Sequence, residues 1–229
     1  MLISIIIPTY NEAANIARLI GYLKNNSNLS VEIIVSDGGS HDNTQALAEL
    51  EGATVLNSPG KGRAAQMNHG ASIAQGDLFY FVHADTVPPD NYLADITKAI
   101  SDGYDLGRYL SSYDSKSWLL KINAFLSRLD TFAGMGGDQT LFITKKLFQQ
   151  TGGFDGSMKI MEEFEFCTRA RKQGKYKIIH KPVLISARKY DTNGWLTVQR
   201  ANYKVIRMYL KGAIQQDLVA TYKRMLNNC

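Results

Sequence analysis

The triplet His83-Ala84-Asp85 carries side chains that could hold a divalent cation at the end of a predicted strand. Residues 78–82 are apolar and end abruptly at the triplet. A short continuous apolar run bounded by polar residues predicts a strand that is buried on both faces. Open α/β sheets bind their ligands beyond the carboxyl ends of the strands, which is where Asp85 would lie. There a carboxylate beside a histidine can hold a cation against a diphosphate, or the triplet merely opens the turn before Pro88.

A second group of ionisable side chains follows Gly152-Gly153-Phe154 after a short loop. It contains the carboxylates of Glu162, Glu163 and Glu165. A carboxylate held against a substrate hydroxyl can act as a general base. The same acids would also stabilise the positive end of a helix that begins here, with Arg169 pairing to Glu165 one turn later. The residues alone leave both interpretations open.

A glycine-rich basic segment, Gly60-Lys61-Gly62-Arg63, precedes a predicted helix over 64–74. It lacks the Gly-Lys-Ser/Thr ending of a nucleoside triphosphate loop. Lys61, Arg63 and the amino end of the helix could still bind a phosphate, and the alternative is an ordinary surface loop. The residues after the first predicted strand, 8–12, do not match the glycine fingerprint of a dinucleotide-binding fold. A nicotinamide-dependent dehydrogenase is therefore disfavoured.

The elements that would position these groups alternate between strand and helix patterns. Predicted strands cover 2–7, 31–35 and 53–56, and predicted helices cover 12–23 and 43–50. We expect Asn11 to be the N-cap of the first helix. This order of elements predicts a doubly wound α/β sheet with right-handed crossovers.

The second half of the sequence contains one amphipathic helix pattern and two apolar runs. Helical spacing over 117–129 places Trp118, Ile122, Phe125 and Leu129 on one face, which favours a core contact over a lipid-binding groove. Apolar runs predict two closing strands over 177–180 and 183–187.

Composition indicates a globular protein of one domain, or one domain plus an appendage, with 229 residues of which 45% are hydrophobic and 21% charged. The net charge of +5 is modest, so it does not by itself point to nucleic acid. Of the two cysteines, one is the last residue, which argues against a structural disulfide and favours a reducing compartment. With no predicted signal peptide or membrane-spanning run, we expect a cytoplasmic protein.

Taken together, residues 8–12, 35–42, 60–70 and 83–85 resemble, in order and spacing, the family 2 glycosyltransferases, whose fold is called GT-A. The resemblance covers residues 1 to about 90, and weaker matches continue to about 190. It implies a mostly parallel sheet flanked by helices over 1–190. Residues 1–90 would then bind the nucleotide, 91–190 would hold the catalytic and acceptor groups, and 191–229 would form a helical appendage.

The resemblance also implies roles for individual residues of this chain. The donor nucleotide would contact Pro8, Tyr10, Glu12, Asp37, Lys61, Arg63 and Ala84. Asp85 would bind the metal, and His83, which stands where the family often has an aspartate, is a second candidate ligand. Glu163 would be the catalytic base, although the family usually has an aspartate there. The donor sugar and the acceptor would contact Asp138, Gln139, Glu162 and Arg188.

The implied activity is transfer of a sugar from a nucleotide diphosphate donor to an acceptor hydroxyl, with inversion and with Mn²⁺ or Mg²⁺. The default donor of the family is a uridine diphosphate sugar. The alternative is a nucleotide-sugar-binding protein that kept the fold and lost catalysis, because His83 and Glu163 both depart from the family pattern. A sugar nucleotidyltransferase would need a glycine-rich basic first loop, which residues 8–12 do not supply.

A basic stripe marks the predicted carboxyl-terminal helix. Arg200, Lys204, Arg207 and Lys211 recur at helical spacing, and Val198 and Val205 point the other way. One interpretation is a solvated face on a docked helix. The other is attachment to an anionic membrane surface, at the inner face of the membrane, which would bring the site to a membrane-borne acceptor.

Overall fold

The computed structural model describes residues 1–27, 29–131 and 139–226 and contains one eight-stranded mixed sheet. The strands are β1 (Ile3–Thr9), β2 (Val31–Asp37), β3 (Thr54–Asn57), β4 (Leu78–Phe81), β5 (Thr86–Val87), β6 (Leu106–Tyr113), β7 (Leu141–Thr144) and β8 (Tyr176–Ile185). Their order across the sheet is β3-β2-β1-β4-β7-β6-β8-β5.

Ten helices in the described residues flank this sheet or follow it. They are α1 (Ile16–Asn25), α2 (Thr44–Leu50), α3 (Arg63–Ile73), α4 (Tyr92–Ser101), α5 (Trp118–Leu126), α6 (Lys145–Gln150), α7 (Glu162–Ala170), α8 (Arg188–Asn193), α9 (Trp195–Leu210) and α10 (Gln215–Met225). None of the described helices is both long and apolar enough to cross a bilayer.

The half of the sheet from β3 to β4 is parallel, which confirms the predicted doubly wound order. Strand β7 then runs antiparallel to both of its neighbours, β4 and β6. Strands β6 and β8 are again parallel. The carboxyl ends of β1, β2 and β4 therefore meet at one edge, where ligands of such sheets bind.

Both faces of the sheet are covered, which explains the continuous apolar runs. Along β1, Ile5 and Ile7 pack on one side with α1 and α4. Ile6 points the other way and packs with residues of α3, α6 and α7. Because successive strand residues face opposite sides, a strand between two helical layers has to be apolar at every position.

The first helix begins at Ile16, so the prediction that Asn11 is its N-cap is wrong. Asn11 has a φ of 55° and lies in the loop after β1. Its N–H donates to Ser40 Oγ at 2.8 Å, and its Oδ1 accepts from the N–H of His41 at 2.9 Å. Asparagine tolerates the left-handed region better than most residues. Asn11 therefore fits this loop conformation, in which its hydrogen bonds join the loops after β1 and β2.

The two predicted closing strands are one strand, β8, which runs beside β6. Tyr109 pairs with Ile179, whereas Leu110 pairs with Pro182, so the register shifts between these positions. His180 and Lys181 lie between these paired positions and form a bulge, which breaks the apolar pattern without ending the strand. This explains why the sequence pattern divided β8 in two.

The face of α5 that was predicted to be core lies at the surface instead. Trp118 and Phe125 are 68% and 64% exposed, and Ile122 and Leu129 are also exposed. The buried residue of α5 is Leu120, which packs with residues of α8 and α9. Helical periodicity finds an apolar face but does not show that another element covers it.

Candidate active site

The carboxyl ends of β1 and β2 lie side by side, with Thr9 opposite Asp37. Asp37 is fully buried, and its carboxylate oxygens accept hydrogen bonds from Thr9, Gly39, Ser40 and Gln45. Burial alone would raise the pKa of Asp37, but these hydrogen bonds, led by those of Ser40, lower the pKa below its usual range. The Asp37 carboxylate therefore fixes the loop after β2 through these hydrogen bonds. Its contact with a nucleoside stays a prediction.

The loop after β1 offers an aromatic surface and a carboxylate. Pro8 lies inside β1. Tyr10 directly follows the strand, and 56% of the Tyr10 surface is exposed. The rings of Tyr10 and His41 meet edge to face at 6.4 Å between centroids. Glu12 Oε2 accepts from the side-chain amide of Asn15 at 2.7 Å. An exposed aromatic ring at this edge is suited to stacking with a nucleobase.

Asp85 lies just beyond β4, next to the buried Ala84, and faces a cation on α8. Arg188 Nη2 lies 2.8 Å from Glu12 Oε1 and 3.8 Å from Asp85 Oδ2. The side chain of Asp85 is 28% exposed. One guanidinium thus bridges the loop after β1 and the carboxylate after β4, and its positive charge could bind an anionic group.

His83 contacts the carboxylate that was predicted to be the base. Its Nε2 lies 2.8 Å from Glu163 Oε1, and both side chains are nearly buried. Burial alone would lower the pKa of His83, but the carboxylate of Glu163 outweighs burial and raises it. Burial raises the pKa of Glu163, and His83 and Arg63 limit that rise. The two side chains therefore form a coupled acid–base pair beside Asp85.

Glu163 is on the first turn of α7, two positions after a residue with unusual backbone geometry. Met161 has a φ of 68°, in the left-handed region that a bulky side chain rarely adopts. Such strain clusters at functional sites, where it fixes a side chain in one direction. The predicted helix pair is also present, since Arg169 Nε lies 2.7 Å from Glu165 Oε1. Glu165 thus belongs to the helix surface, and Glu163 faces His83.

Glu162 and Arg63 join the starts of two helices. Arg63 Nε on α3 lies 2.7 Å from Glu162 Oε1 on α7, and the Glu162 side chain is 1% exposed. Lys61 is exposed and near α7 as well, because Lys159 Nζ donates to its carbonyl at 3.1 Å. The predicted contacts of Glu162 with a sugar and of the two cations with a nucleotide stay predictions.

Glu163 lines a cavity of about 20 Å³, which has room for one water molecule. Its lining includes Arg108, Gln139, Thr140 and Tyr176. Within the described parts of the chain, the buried Glu163 Oε2 has no hydrogen-bond partner. Gln139 is nearly buried and donates to Ser111 Oγ at 3.3 Å. Asp138 lies outside the described residues.

Two groups in this region were missed by the sequence analysis. Gln66 on α3 donates to the carbonyls of Thr9 and Ser36, and so ties the ends of β1 and β2 together. Arg108 is 4% exposed on β6, which a strand pattern gives no reason to expect of an arginine. The pairing of His83 with Glu163 was also missed, because nothing in the sequence relates positions so far apart.

The residues around Asp85 fit a cation that is shared with a substrate diphosphate. Among the described residues, no three His, Cys, Asp or Glu side chains converge on one point. Mg²⁺ is commonly bound through one or two carboxylates together with substrate phosphates and waters, and Asp85 is exposed enough for that role. His83 uses its Nε2 for Glu163, so its proposed role as a metal ligand stays a prediction.

The curated proteins similar to this chain include two named as transferases. The chain is 32% identical over 127 residues to a dolichol-phosphate mannosyltransferase of Pyrococcus furiosus, which covers 52% of this chain and 36% of that protein. It is 30% identical over 130 residues to an undecaprenyl-phosphate 4-deoxy-4-formamido-L-arabinose transferase of Aeromonas hydrophila, covering 52% and 40%. The chain thus matches less than half the length of either relative.

Solved structures share the fold at low sequence identity. The mannosyltransferase PcManGT of Pyrobaculum calidifontis, solved with GDP-Man and Mn²⁺, has a TM-score of 0.69 at 18% identity and covers 89% of this chain and 61% of that one. TarS of S. aureus has a TM-score of 0.66 at 18% identity, covering 82% and 61%.

The family model described as glycosyl transferase family 2 matches residues 4–164, which is more than half of the chain. The matched range contains the loop after β1, Asp37, Arg63, the triplet at 83–85 and Glu163. It ends within α7, directly after the acid–base pair is complete. The chain belongs to glycosyl transferase family 2.

Proposed function

We propose that this protein transfers a sugar from a nucleotide diphosphate donor to an acceptor hydroxyl, with inversion at the anomeric carbon. The observation that carries the proposal is the contact between His83 Nε2 and Glu163 Oε1, 2.8 Å long, close to the partly exposed Asp85. A base and an anion-binding edge then lie on two sides of one site. Family membership and the shared fold support the same reaction class.

The donor would lie along the carboxyl edge of β1, β2 and β4. Tyr10 offers its exposed ring to the base, and Arg188 offers positive charge to the diphosphate. A divalent cation held by Asp85, when bound, would stabilise the negative charge of the leaving diphosphate. Structural neighbours were solved with UDP-GlcNAc, or with GDP-Man and Mn²⁺, which supports this placement. We take a uridine diphosphate sugar as the first donor to test.

Glu163 would remove the proton from the acceptor hydroxyl as its oxygen attacks the anomeric carbon. The new carbon–oxygen bond forms on the face opposite the diphosphate, and the bond from that carbon to the diphosphate oxygen breaks. The electron pair of the broken bond leaves with the diphosphate, and the proton stays on Glu163. His83 would hold Oε1 and so fix the direction of the Glu163 carboxylate.

The second candidate function is a nucleotide-sugar-binding protein without catalysis. A carboxylate kept nearly buried, with a raised pKa and a positioned histidine, is costly to maintain without chemical use. This argument favours the transferase over the binding protein.

The names of the two curated relatives, which refer to dolichol phosphate and undecaprenyl phosphate, support a lipid-linked acceptor.

The test is a panel of nucleotide sugars, with and without Mn²⁺ or Mg²⁺, read out by thermal shift and by release of nucleoside diphosphate. A transferase should be stabilised by its donor and should slowly release the diphosphate to water. Stabilisation without any release would support the binding protein instead. Release of pyrophosphate from a nucleoside triphosphate and a sugar phosphate would indicate a nucleotidyltransferase.

A further inference from the structure

The outer face of α5 is an apolar surface that the described residues leave uncovered. This apolar band consists of Trp118, Ile122, Phe125 and the following Leu129, all exposed. Trp118 and Phe125 have more than three fifths of their surface in contact with solvent. Single exposed apolar side chains are normal on proteins, but a continuous row with two aromatic rings marks an interaction site.

Lysine and arginine flank the apolar band, and the exposed Asp114 and Asp130 lie just outside its two ends. Lys116 precedes α5, Lys121 lies on its flank and Arg128 follows its end, and all three are exposed. Residues 115–129 contain no aspartate or glutamate. Apolar and aromatic side chains bordered by lysine and arginine are typical of helices that lie in the interface of a membrane.

Helix α9 extends this surface. Trp195 Nε1 and Gln199 Nε2 both donate to Asn123 Oδ1 of α5, at 3.2 and 3.1 Å, so the helices lie side by side. Leu196, Tyr203 and Leu210 form an exposed row on α9. At about 100° per residue, this row is adjacent to the side that contacts α5. Apolar groups therefore continue across both helices.

The basic stripe predicted from the sequence lies beyond that row. Arg200, Lys204, Arg207 and Lys211 are all exposed. Arg207 also lies over the ring of Tyr203, 5.6 Å from its centroid. The combined surface is thus an apolar centre with cations on both of its outer sides.

We propose that α5 and the adjoining face of α9 bind the interface of an anionic lipid bilayer, with Trp118 and Phe125 inserted among the lipids. Anionic headgroups would complement the cations on both sides of the apolar band. A second copy of the chain fits less well, because a two-fold dimer places the same patch against itself. Lysines and arginines would then face each other around the aromatic rings.

This surface adjoins the acceptor side of the site. Ser127, just after α5, accepts from the N–H of Ser111 at 3.0 Å, and Ser111 Oγ accepts from Gln139. The carbonyl of Leu129 accepts from Arg108, which lines the same cavity as Glu163. Bilayer contact would bring a membrane-borne acceptor near the base, and this last step alone rests on the proposed function.

The test is flotation of the full chain with vesicles of phosphatidylcholine alone or mixed with phosphatidylglycerol. We expect flotation with the mixed vesicles at low salt and its loss at high salt or without the anionic lipid. The double variant Trp118→Ser/Phe125→Ser should lower lipid partitioning by about tenfold or more. The matched control, Leu50→Ser/Ile73→Ser, replaces two exposed apolar residues elsewhere and should float like the wild type.

Three results would overturn the proposal. The first is no flotation of the wild type on anionic vesicles at low salt. The second is equal flotation of the wild type and the Trp118→Ser/Phe125→Ser variant. The third is a wild-type dimer in sedimentation, lost in that variant, without lipid binding. Release of nucleoside diphosphate from a soluble donor should be unchanged in the variant, so failure of the proposed chemistry would be seen separately.

Discussion

His83 Nε2 lies 2.8 Å from Glu163 Oε1, and this contact places a histidine of the predicted metal-binding triplet on the predicted base. Both side chains are nearly buried, so neither is freely hydrated. A histidine engaged in this way would act on the proposed reaction by orienting the carboxylate. A histidine that binds metal would act on donor affinity instead. The two roles therefore predict different kinetic effects of one substitution.

We predict that His83→Ala lowers turnover about 10- to 100-fold, because Glu163 loses the partner that fixes its direction. His83→Gln should retain more activity, since its amide N–H can take the place of the ring N–H. The measurement is kcat for donor turnover together with donor affinity in Mn²⁺. Donor affinity should stay within a few-fold in both variants.

The opposite pattern would reassign His83. If His83→Ala weakened donor binding only when Mn²⁺ was present, and left turnover at saturating donor unchanged, the residue would be a metal ligand. Thermal unfolding of each variant controls for a general loss of structure, since removing one member of a buried pair destabilises the fold.

We predict that Asp85→Asn weakens metal-dependent donor binding by tenfold or more, or about 1.4 kcal/mol. The amide has nearly the same shape but no charge for a cation. Asp77→Asn is the matched control, because Asp77 is an exposed aspartate at the other end of β4. Calorimetric titration in Mn²⁺ is the measurement. Equal donor affinity of wild type and Asp85→Asn would remove Asp85 from the metal site.

A stability prediction follows from Asp37. Its pKa is lowered in the folded protein, so its stabilising effect is complete above the usual aspartate pKa of 3.8. The effect is lost as the pH falls through the lower, folded-state pKa. Asp37→Asn should therefore cost about 2 kcal/mol at neutral pH, because hydrogen bonds to a charged acceptor are lost. Urea unfolding at several pH values should show this difference shrinking towards acid pH, and a pH-independent difference would contradict it.

The parallel half of the fold was predictable because each of its strands has a local sequence pattern, an apolar run that ends in polar residues. In β1 and β4, every residue is buried between two helical layers, so the apolar run needs no knowledge of the partner strands. The polar residues that end β1, β2 and β4 were also local signals. Parallel pairing then brings Asp37 and Asp85 to the same edge without further information.

The side-chain pairs of the site and the burial of surface helices could not be predicted, because they depend on contacts between segments that are distant in the sequence. No local pattern indicates that Arg63 pairs with Glu162, or His83 with Glu163. The exposure of Trp118 was missed for the same reason, since burial requires a covering element and the helical pattern supplies only a face. Asn11 was misjudged as an N-cap because its partners, Ser40 and His41, lie in another loop.

The most direct test of the proposed chemistry compares nucleoside diphosphate release by wild type and Glu163→Gln, with the same donor and Mn²⁺. We predict a fall in turnover of about 10² to 10⁴, with donor affinity within a few-fold, because the amide cannot accept the acceptor proton. Glu165→Gln, on the same helix but paired with Arg169, should keep most of the activity. Turnover by Glu163→Gln equal to that of the wild type, or its loss in Glu165→Gln alone, would contradict Glu163 as the base.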